Sequence, residues 1–477
     1  GTFEKLKSRL VGGGHRQDRT LYEDHERSSP TLSTTGLFTI AGIAAKRGWD
    51  RATADIGTAY LNAKLKDKHE IYMKIAPKLS SILCKIDPKY QEYQCEDGSI
   101  VVQLLRALYG LVESSVLWYD ELSCSLKENG YAVNQFERCV FTKEERGEIV
   151  SIVGVFVDDL LILSKNDGYI QELYGNLLSK YEDVKINRDL KLKYLGMIFD
   201  YSVPEEVSIT MPSFVEDLLK NAAPGIAKTP AAADLYEVGE SELLSHDEKI
   251  AFHSDTAKLL YMAKRTRPDL LFALSYLTTR VKEPTKRDQE KLNRVFKYVR
   301  HTSDLALRMA FNRNNQLSYL TYIDSSHGIH QDMRGHSGVC VTFGGACILA
   351  KSTKHKINSK SSAESELIAL SDHAGIAIHG QRFLKSLKID SPCIIYQDNT
   401  STKDMITNLN VNDKSKHIKI RYYWLKERVR EGEVMIMYIP TEQMLADLMT
   451  KAVQGILFVK LRDEVMNNPN QEGCVGK

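Results

Sequence analysis

Residues Ser151 to Ser164 read SIVGVFVDDLLILS, two short runs rich in β-branched and other apolar residues that flank the adjacent acids Asp158 and Asp159. Runs of this length and composition around a polar pair predict a β-hairpin with the acids at its turn. Along a regular strand successive side chains point to opposite faces, so both acids reach one site only where the strand ends and the backbone turns. Two carboxylates about 4 Å apart repel by roughly 4 kcal/mol at an effective dielectric of about 20. A divalent cation would remove that conflict, and an ordinary acidic surface turn is the alternative. A metal site requires a further acid from a distant part of the chain.

The rest of the chain is large enough to supply one. With 477 residues, 43% hydrophobic and 26% charged, it has the balance of a soluble globular protein of several domains. A formal net charge of +2 neither requires nor excludes nucleic acid, so an anionic partner must be argued from local patches. The eight Cys, at 84, 95, 124, 139, 340, 347, 393 and 474, include no C-x-x-C pair and read as reduced, buried thiols. Apolar stretches are too short to span a membrane and no signal peptide opens the chain, which reads as an intracellular protein. The start, GTFEKLKSRLVGGG, lacks Met and enters at once into patterned sequence, as a piece of a longer protein would.

Near that start, Lys5, Lys7 and Arg9 alternate with Leu6 and Leu10, a strand pattern with a basic face that is either solvated or a phosphate clamp. Gly12 to Gly14 has the composition of an anion nest but no phosphate-loop spacing. Residues 31–45 predict a helix capped near Ser33. Asp55 then precedes a turn and a helix, the kind of element end where functional groups collect, although a helix cap would also place an Asp there. Tyr60 is either a core aromatic or the floor of a sugar pocket. Residues 70–75 read as a strand, 78–96 as an irregular surface segment, and Tyr109 with Gly110 as a turn before a helix over 114–129. Residues 136–141 predict a strand leading into the hairpin, and strands and helices alternate without βαβ regularity, as in an α+β domain.

Beyond the hairpin, a helix over 169–181 and a strand over 194–199 precede a connector rich in Ala, Pro and acids. Two helices broken near Pro268 follow. Residues 285–301 carry Lys291, Arg294, Lys297 and Arg300 at a spacing of three, opposite Leu292, Val295, Phe296 and Val299. Such a face is either solvated or set against a nucleic-acid backbone. From 313 to 460 a second set of acids appears: Asp324 at the end of a strand, Glu366 on a helix that begins near Ser361 or Ser362, Asp398 after another strand, and Asp447 on a short helix. Each alone would be structural, but four separated acids at strand ends and helix faces can build a two-metal hydrolase. Glu364 is the alternative to Glu366. Residues 416–430 add basic groups, with Tyr422 and Trp424 expected in the core, and nothing informative follows Lys451.

The segments DIGTAYLNAKL, IYM, LYGLVESSVLWYDEL, FVDDLLILS and KYLGMIF, in this order, resemble the reverse transcriptase of copia-type long-terminal-repeat retrotransposons, and residues 313–460 resemble the ribonuclease H of the same elements. The resemblance implies an α+β right-hand polymerase of fingers, palm and thumb, followed by an α/β ribonuclease H-like domain with a mixed five-stranded sheet. It divides the chain into fingers and palm (1–217), thumb or connection (218–312), ribonuclease H-like domain (313–460) and tail (461–477). It implies RNA-directed DNA polymerase and ribonuclease H activities with Mg²⁺, or Mn²⁺ in its place. Asp55, Asp158 and Asp159 would hold metal in the first unit, and Asp324, Glu366, Asp398 and Asp447 in the second.

By the same resemblance, Lys7 and Arg9 would hold the phosphates of an incoming nucleotide, Tyr60 would exclude a ribose 2′-OH, and Tyr109 with Gly110 would line the nucleotide. Residues 193–199 would form the turn that grips the primer terminus. The hairpin carries Phe156 where the family more often has Tyr, a change that keeps the ring and loses a hydroxyl. Implied partners are an RNA template, a DNA or tRNA primer, dNTPs and the RNA/DNA hybrid, with the integrase of the same polyprotein or a second copy as further candidates and no membrane. The implied location is virus-like particles in the cytoplasm, or the nucleus. From a different class, the alternative is an inactive nucleic-acid-binding relic of a mobile element.

Overall fold

The structure, a computed structural model, describes residues 9–65, 70–311, 316–407 and 419–468. Helix α1 (Thr34–Arg47) is shared by all three large sheets. Ser33 caps it by accepting the Gly36 N–H, and Gly48 closes it at a φ of 59°. Residues Gly36 to Ala45 are all buried, and a helix apolar on every side belongs inside a core. At Gly42 an added Cβ would come within 2.8 Å of the Phe343 ring and 2.9 Å of Phe311, so the absent side chain allows those rings to close on the helix.

The first unit continues with β1 (Asp50–Ile56), α2 (Ala59–Asn62), β2 (Tyr72–Ile75), α3 (Pro77–Ile86), β3 (Ile100–Gln103) and α4 (Ser114–Glu128). Then come β4 (Tyr131–Val133), β5 (Val140–Glu145), β6 (Glu148–Phe156), β7 (Asp159–Ser164), α5 (Asp167–Lys180) and β8 (Val184–Asn187). Six of these strands form one antiparallel sheet in the order β4-β5-β6-β7-β1-β8, while β2 and β3 pair separately. The expected hairpin is β6–β7, at the sheet centre. Alternation divides its side chains: Ile152, Leu161 and Leu163 join the α1 core, whereas Val153, Val155, Leu160 and Ile162 join Trp118, Leu122, Leu173 and Leu177 on the other face.

A second sheet contains β9 (Lys191–Tyr194), β10 (Met197–Asp200) and β11 (Glu206–Thr210). After α6 (Pro212–Leu219) and an irregular stretch come α7 (His246–Ala263), α8 (Leu271–Arg280), α9 (Lys286–His301) and β12 (Leu307–Ala310). Strand β12 returns to pair with β11, giving the order β12-β11-β10-β9. The last unit runs through β13 (Leu320–Ser326), β14 (His336–Phe343), β15 (Ala346–Lys354), α10 (Ser362–Ser386), β16 (Ile394–Gln397), α11 (Thr400–Thr407), α12 (Lys419–Arg430), β17 (Met435–Tyr438) and α13 (Gly455–Met466). Its five-stranded sheet, β15-β14-β13-β16-β17, is mixed: β13 is antiparallel to β14 and parallel to β16.

Several local expectations need correction. Residues 78–96 are not irregular: Pro77 opens α3, and Pro88–Tyr93 forms a 3₁₀ helix capped by Asp87. Residues 194–199 are not one strand but the β9–β10 hairpin, turned at Leu195 and Gly196 with φ of 49° and 76°. The strand expected over 136–141 begins only at Val140, because the Asn134 side chain accepts the Phe136 and Glu137 N–H groups and folds that stretch into a turn. Asp324 lies inside β13 rather than at its end. Trp424 is 37% exposed instead of core, and the Tyr422 side chain lies outside those described. Residues after Lys451 form α13, whose Phe458, Leu461, Val465 and Met466 are buried.

Candidate functional site

Two groups of acids lie in different sheets. In the first, β1 and β7 pair so that Asp55 stands directly opposite Asp159, and residues opposite each other in an antiparallel ladder share a face. Asp158 occupies the intervening turn, and its carbonyl accepts the Ile56 N–H at 3.0 Å. The turn places Val157 at a φ of 59°, an unfavourable region for a β-branched residue. Trp118 Nε1 holds it there by donating to the Val157 carbonyl at 2.7 Å. Asp159 is thus the acid in register with Asp55. On the other flank of Asp55 the ladder places Lys185, a position the sequence reading did not single out.

Burial, then Asp158 and Asp55, push the Asp159 carboxyl up to about 6. Tyr194 anchors it from behind, its hydroxyl donating to the Asp159 carbonyl at 3.1 Å. The aromatics expected beside the acids are also gathered there. Tyr60 and Tyr109 meet edge to face with centroids 4.6 Å apart, and the Arg9 guanidinium lies 5.2 Å from the Tyr109 ring centroid. Burial first and Asp158 second raise both phenols. Gly12 to Gly14 form no anion nest: the Gly12 N–H donates to the Tyr109 carbonyl at 2.6 Å, and a Cβ at Gly14 would lie 1.9 Å from the Gly110 carbonyl oxygen. These glycines let the N-terminal segment lie against the Tyr109–Gly110 turn. Lys7 is outside the described residues.

The second group is tighter. Among the described residues, Asp324, Asp398 and Asp447 are the acids or other metal-ligating side chains whose ligand atoms, as a set of three, lie within 4.8 Å of one another. Adjacent parallel strands bring Asp324 and Asp398 together, and the 3₁₀ turn Leu445–Met449 packs Asp447 against them. Burial and then Asp324 push Asp447 up to about 7, and the same two causes raise Asp398. Glu366 is 4% exposed and is also raised, first by burial and then by Asp324 and Asp398. Its carboxylate accepts from Gln397 Nε2 at 3.3 Å. Glu364 instead turns back to accept the Lys360 N–H at the start of α10. Buried carboxylates that oppose one another's charge, with only oxygen donors, suit a hard divalent cation.

Three further groups enter this cluster. Thr450 Oγ1 donates to Asp324 Oδ2, Thr441 Oγ1 donates to Asp398 Oδ2 at 2.9 Å, and Lys451 Nζ lies 2.6 Å from Asp447 Oδ1. None was singled out from sequence. For Thr450 and Lys451 the only signal was their spacing of three and four from Asp447, which is indistinguishable from an exposed polar terminus, and Thr441 carried none.

The basic face of α9 meets the chain's own connector. Lys291 Nζ donates to the carbonyls of Leu235 and Glu237, Arg294 to the carbonyl and hydroxyl of Thr229, and Arg300 to the carbonyls of Ala222, Ala223 and Gly225. These three cations clasp the chain's own connector, and Lys297 lies beside Gly225.

Residues 3–229 match the family described as reverse transcriptase (RNA-dependent DNA polymerase). The chain is 28% identical over 464 residues to the retrovirus-related Pol polyprotein from transposon TNT 1-94 of Nicotiana tabacum, covering 94% of this chain and 33% of that protein. It is 27% identical to the corresponding polyprotein from transposon RE2 of Arabidopsis thaliana (96% and 30%), and 24% identical to the transposon Ty1-BL Gag-Pol polyprotein of Saccharomyces cerevisiae (93% and 25%). It therefore spans a third or less of these relatives. Likeness to solved structures is distant: a foamy viral protease-reverse transcriptase in complex with dsDNA aligns over 82% of this chain and 68% of that one at 12% identity and a TM-score of 0.21. The chain is a homologue of the Ty1/copia-type retrotransposon Pol polyproteins, at low to moderate identity, and carries a reverse transcriptase family segment in its first half.

Proposed function

We propose that the chain is an RNA-directed DNA polymerase joined to a ribonuclease H, copying RNA into DNA at the Asp55–Asp158–Asp159 site and cutting the RNA of the hybrid at the Asp324–Glu366–Asp398–Asp447 site. The observation that carries this reading is the presence of two separate clusters of acids, one on a sheet face and one largely buried, in a chain homologous to Pol polyproteins. In the first cluster, Asp55 and Asp159 would hold catalytic Mg²⁺ from the shared sheet face and Asp158 from the turn. Tyr60 would floor the sugar pocket, and the Tyr109–Gly110 turn would carry the nucleotide against Arg9. In the second, Glu366 and the three aspartates would hold the ions, with Thr450 and Thr441 fixing the carboxylates of Asp324 and Asp398. At both sites bound Mg²⁺ would supply charge compensation for the attacking and leaving oxygens of an in-line phosphoryl transfer. Duplex shape and 2′-OH groups, rather than base edges, would select the hybrid.

The test is a primed RNA template with dNTPs and Mg²⁺. Asp158→Asn should abolish extension and leave hybrid cleavage, and Asp398→Asn should do the reverse. Extension that survives Asp158→Asn would sink the polymerase assignment. Loss of both activities in each variant would mean that the acids are structural.

A further inference from the structure

The turn that delivers Asp447 also delivers an ammonium. Lys451 Nζ lies 2.6 Å from Asp447 Oδ1 and 3.5 Å from Asp324 Oδ2, and its side chain is 41% exposed while the two acids are 5% and 2% exposed. The cation therefore closes the mouth of the cluster with one side still in water. Its root is fixed: the Lys451 N–H donates to the Asp447 carbonyl at 3.0 Å, and the carbonyl of the preceding Thr450, itself 1% exposed, accepts from Ser326 Oγ at 2.9 Å. The stem beyond that root is free to turn, because Lys carries its charge on four flexible methylenes.

We propose that Lys451 is a positioning residue that competes with a divalent cation at the Asp447–Asp324 pair, setting how tightly the second of two ions is held. This rests on the two-ion reading of the cluster given above. A divalent ion such as Mg²⁺ binds carboxylate oxygen at about 2.0 to 2.1 Å, and an ammonium 2.6 Å from Asp447 Oδ1 is aimed at the same oxygen. The two cations repel, so the ion enters fully only when the ammonium swings outward. A lysine turned outward from this mouth faces the side from which a substrate phosphate would arrive. Substrate and second ion would then enter together.

The experiment counts Mn²⁺ ions by calorimetry and by the loss of the free-ion paramagnetic signal. It uses the full chain carrying Asp158→Asn and Asp159→Asn to weaken ion binding at the other cluster. Lys451→Met should tighten the weaker of the two ions by about tenfold, an allowance for a unit charge within about 4 Å that is partly screened by water. Lys451→Arg keeps the charge and should restore weak binding. Equal or weaker binding in Lys451→Met, with an unchanged melting temperature in metal-free buffer, would overturn the role of the lysine and leave the two-ion reading standing. Tightening in Lys451→Arg as large as that in Lys451→Met would show that packing rather than charge is responsible, and would overturn it as well. No ion binding in any form of the chain would overturn both.

Discussion

Asp55 and Asp159 face each other across the β1–β7 ladder, on one side of the sheet and at the edge of the turn that holds Asp158. The burial of Asp159 beside two other acids has a consequence for stability. Asp159 titrates at about 6 in the folded protein because of burial, Asp158 and Asp55, against about 3.9 for a free Asp. Between those values the folded chain holds a proton that the unfolded chain has lost, so stability falls as pH rises from about 4 to 6 and levels off above. Asp447, at about 7, adds a slope of the same sign. In chelator-treated protein, Asp159→Asn should raise stability at pH 7 by on the order of 1 to 2 kcal/mol after allowance for screening. It should also flatten the slope between pH 4 and 6. Urea midpoints across that range provide the measurement, and a variant less stable than wild type at pH 7 with an unchanged slope would refute it.

The α9 clasp makes a different prediction from a phosphate-binding helix. Arg294 and Arg300 donate to carbonyls between Ala222 and Thr229. Replacing both by Ala should loosen that connector at a cost of about 1 to 3 kcal/mol, the range for hydrogen bonds to a charged group. Trypsin cleavage after Lys228 should become faster in limited proteolysis. If the arginines instead contacted a duplex, the salt slope of hybrid binding would drop by about one per residue removed. An unchanged slope with faster proteolysis is expected, and the opposite pattern would support the nucleic-acid role.

The same helix shows where sequence reading stops. Spacing identified the basic face of α9 and its apolar opposite, but a cation at that spacing reaches equally well for a phosphate or for a carbonyl of its own chain. The β6–β7 hairpin was legible because two short apolar runs around a polar break are local signals. The pairing of β1 with β7, which makes Asp159 and not only Asp158 a neighbour of Asp55, is a matter of register between distant segments and leaves no local trace. Glu364 stood beside Glu366 as an alternative, and the structure separates them by burial, with Glu366 inside the cluster and Glu364 at a helix start. The resemblance implied the β9–β10 turn, but the residues alone read as a strand because Leu195 takes a positive φ that sequence normally announces with Gly or Asn. Lys451 was missed because a lysine beside a short acidic turn looks solvated until the fold closes the acids over it.

The break that Pro268 signalled between α7 and α8 is held by a buried ion pair, and this yields the largest stability effect expected in the molecule. Arg267 and Asp269 are each 2% exposed and meet through two hydrogen bonds of 2.9 and 2.8 Å. Tyr298 of α9 donates to Asp269 Oδ2 at 2.7 Å, and Arg267 donates to the Thr302 carbonyl at 2.9 Å, so the pair ties the α7–α8 turn to the end of α9. Burial acts to raise the Asp269 carboxyl, but Arg267, the Tyr298 hydroxyl and Arg462 together outweigh it and hold the acid ionised. Asp269→Ala would leave the guanidinium buried without its counter-charge and should cost about 3 to 5 kcal/mol. Arg267→Met combined with Asp269→Leu removes both charges and should recover most of that loss, because the penalty comes from the orphaned charge and not from the missing attraction. Urea unfolding of the two variants decides between these accounts: a double variant as unstable as the single one would show that the pair itself, through its ties to Thr302 and Tyr298, supplies the stability.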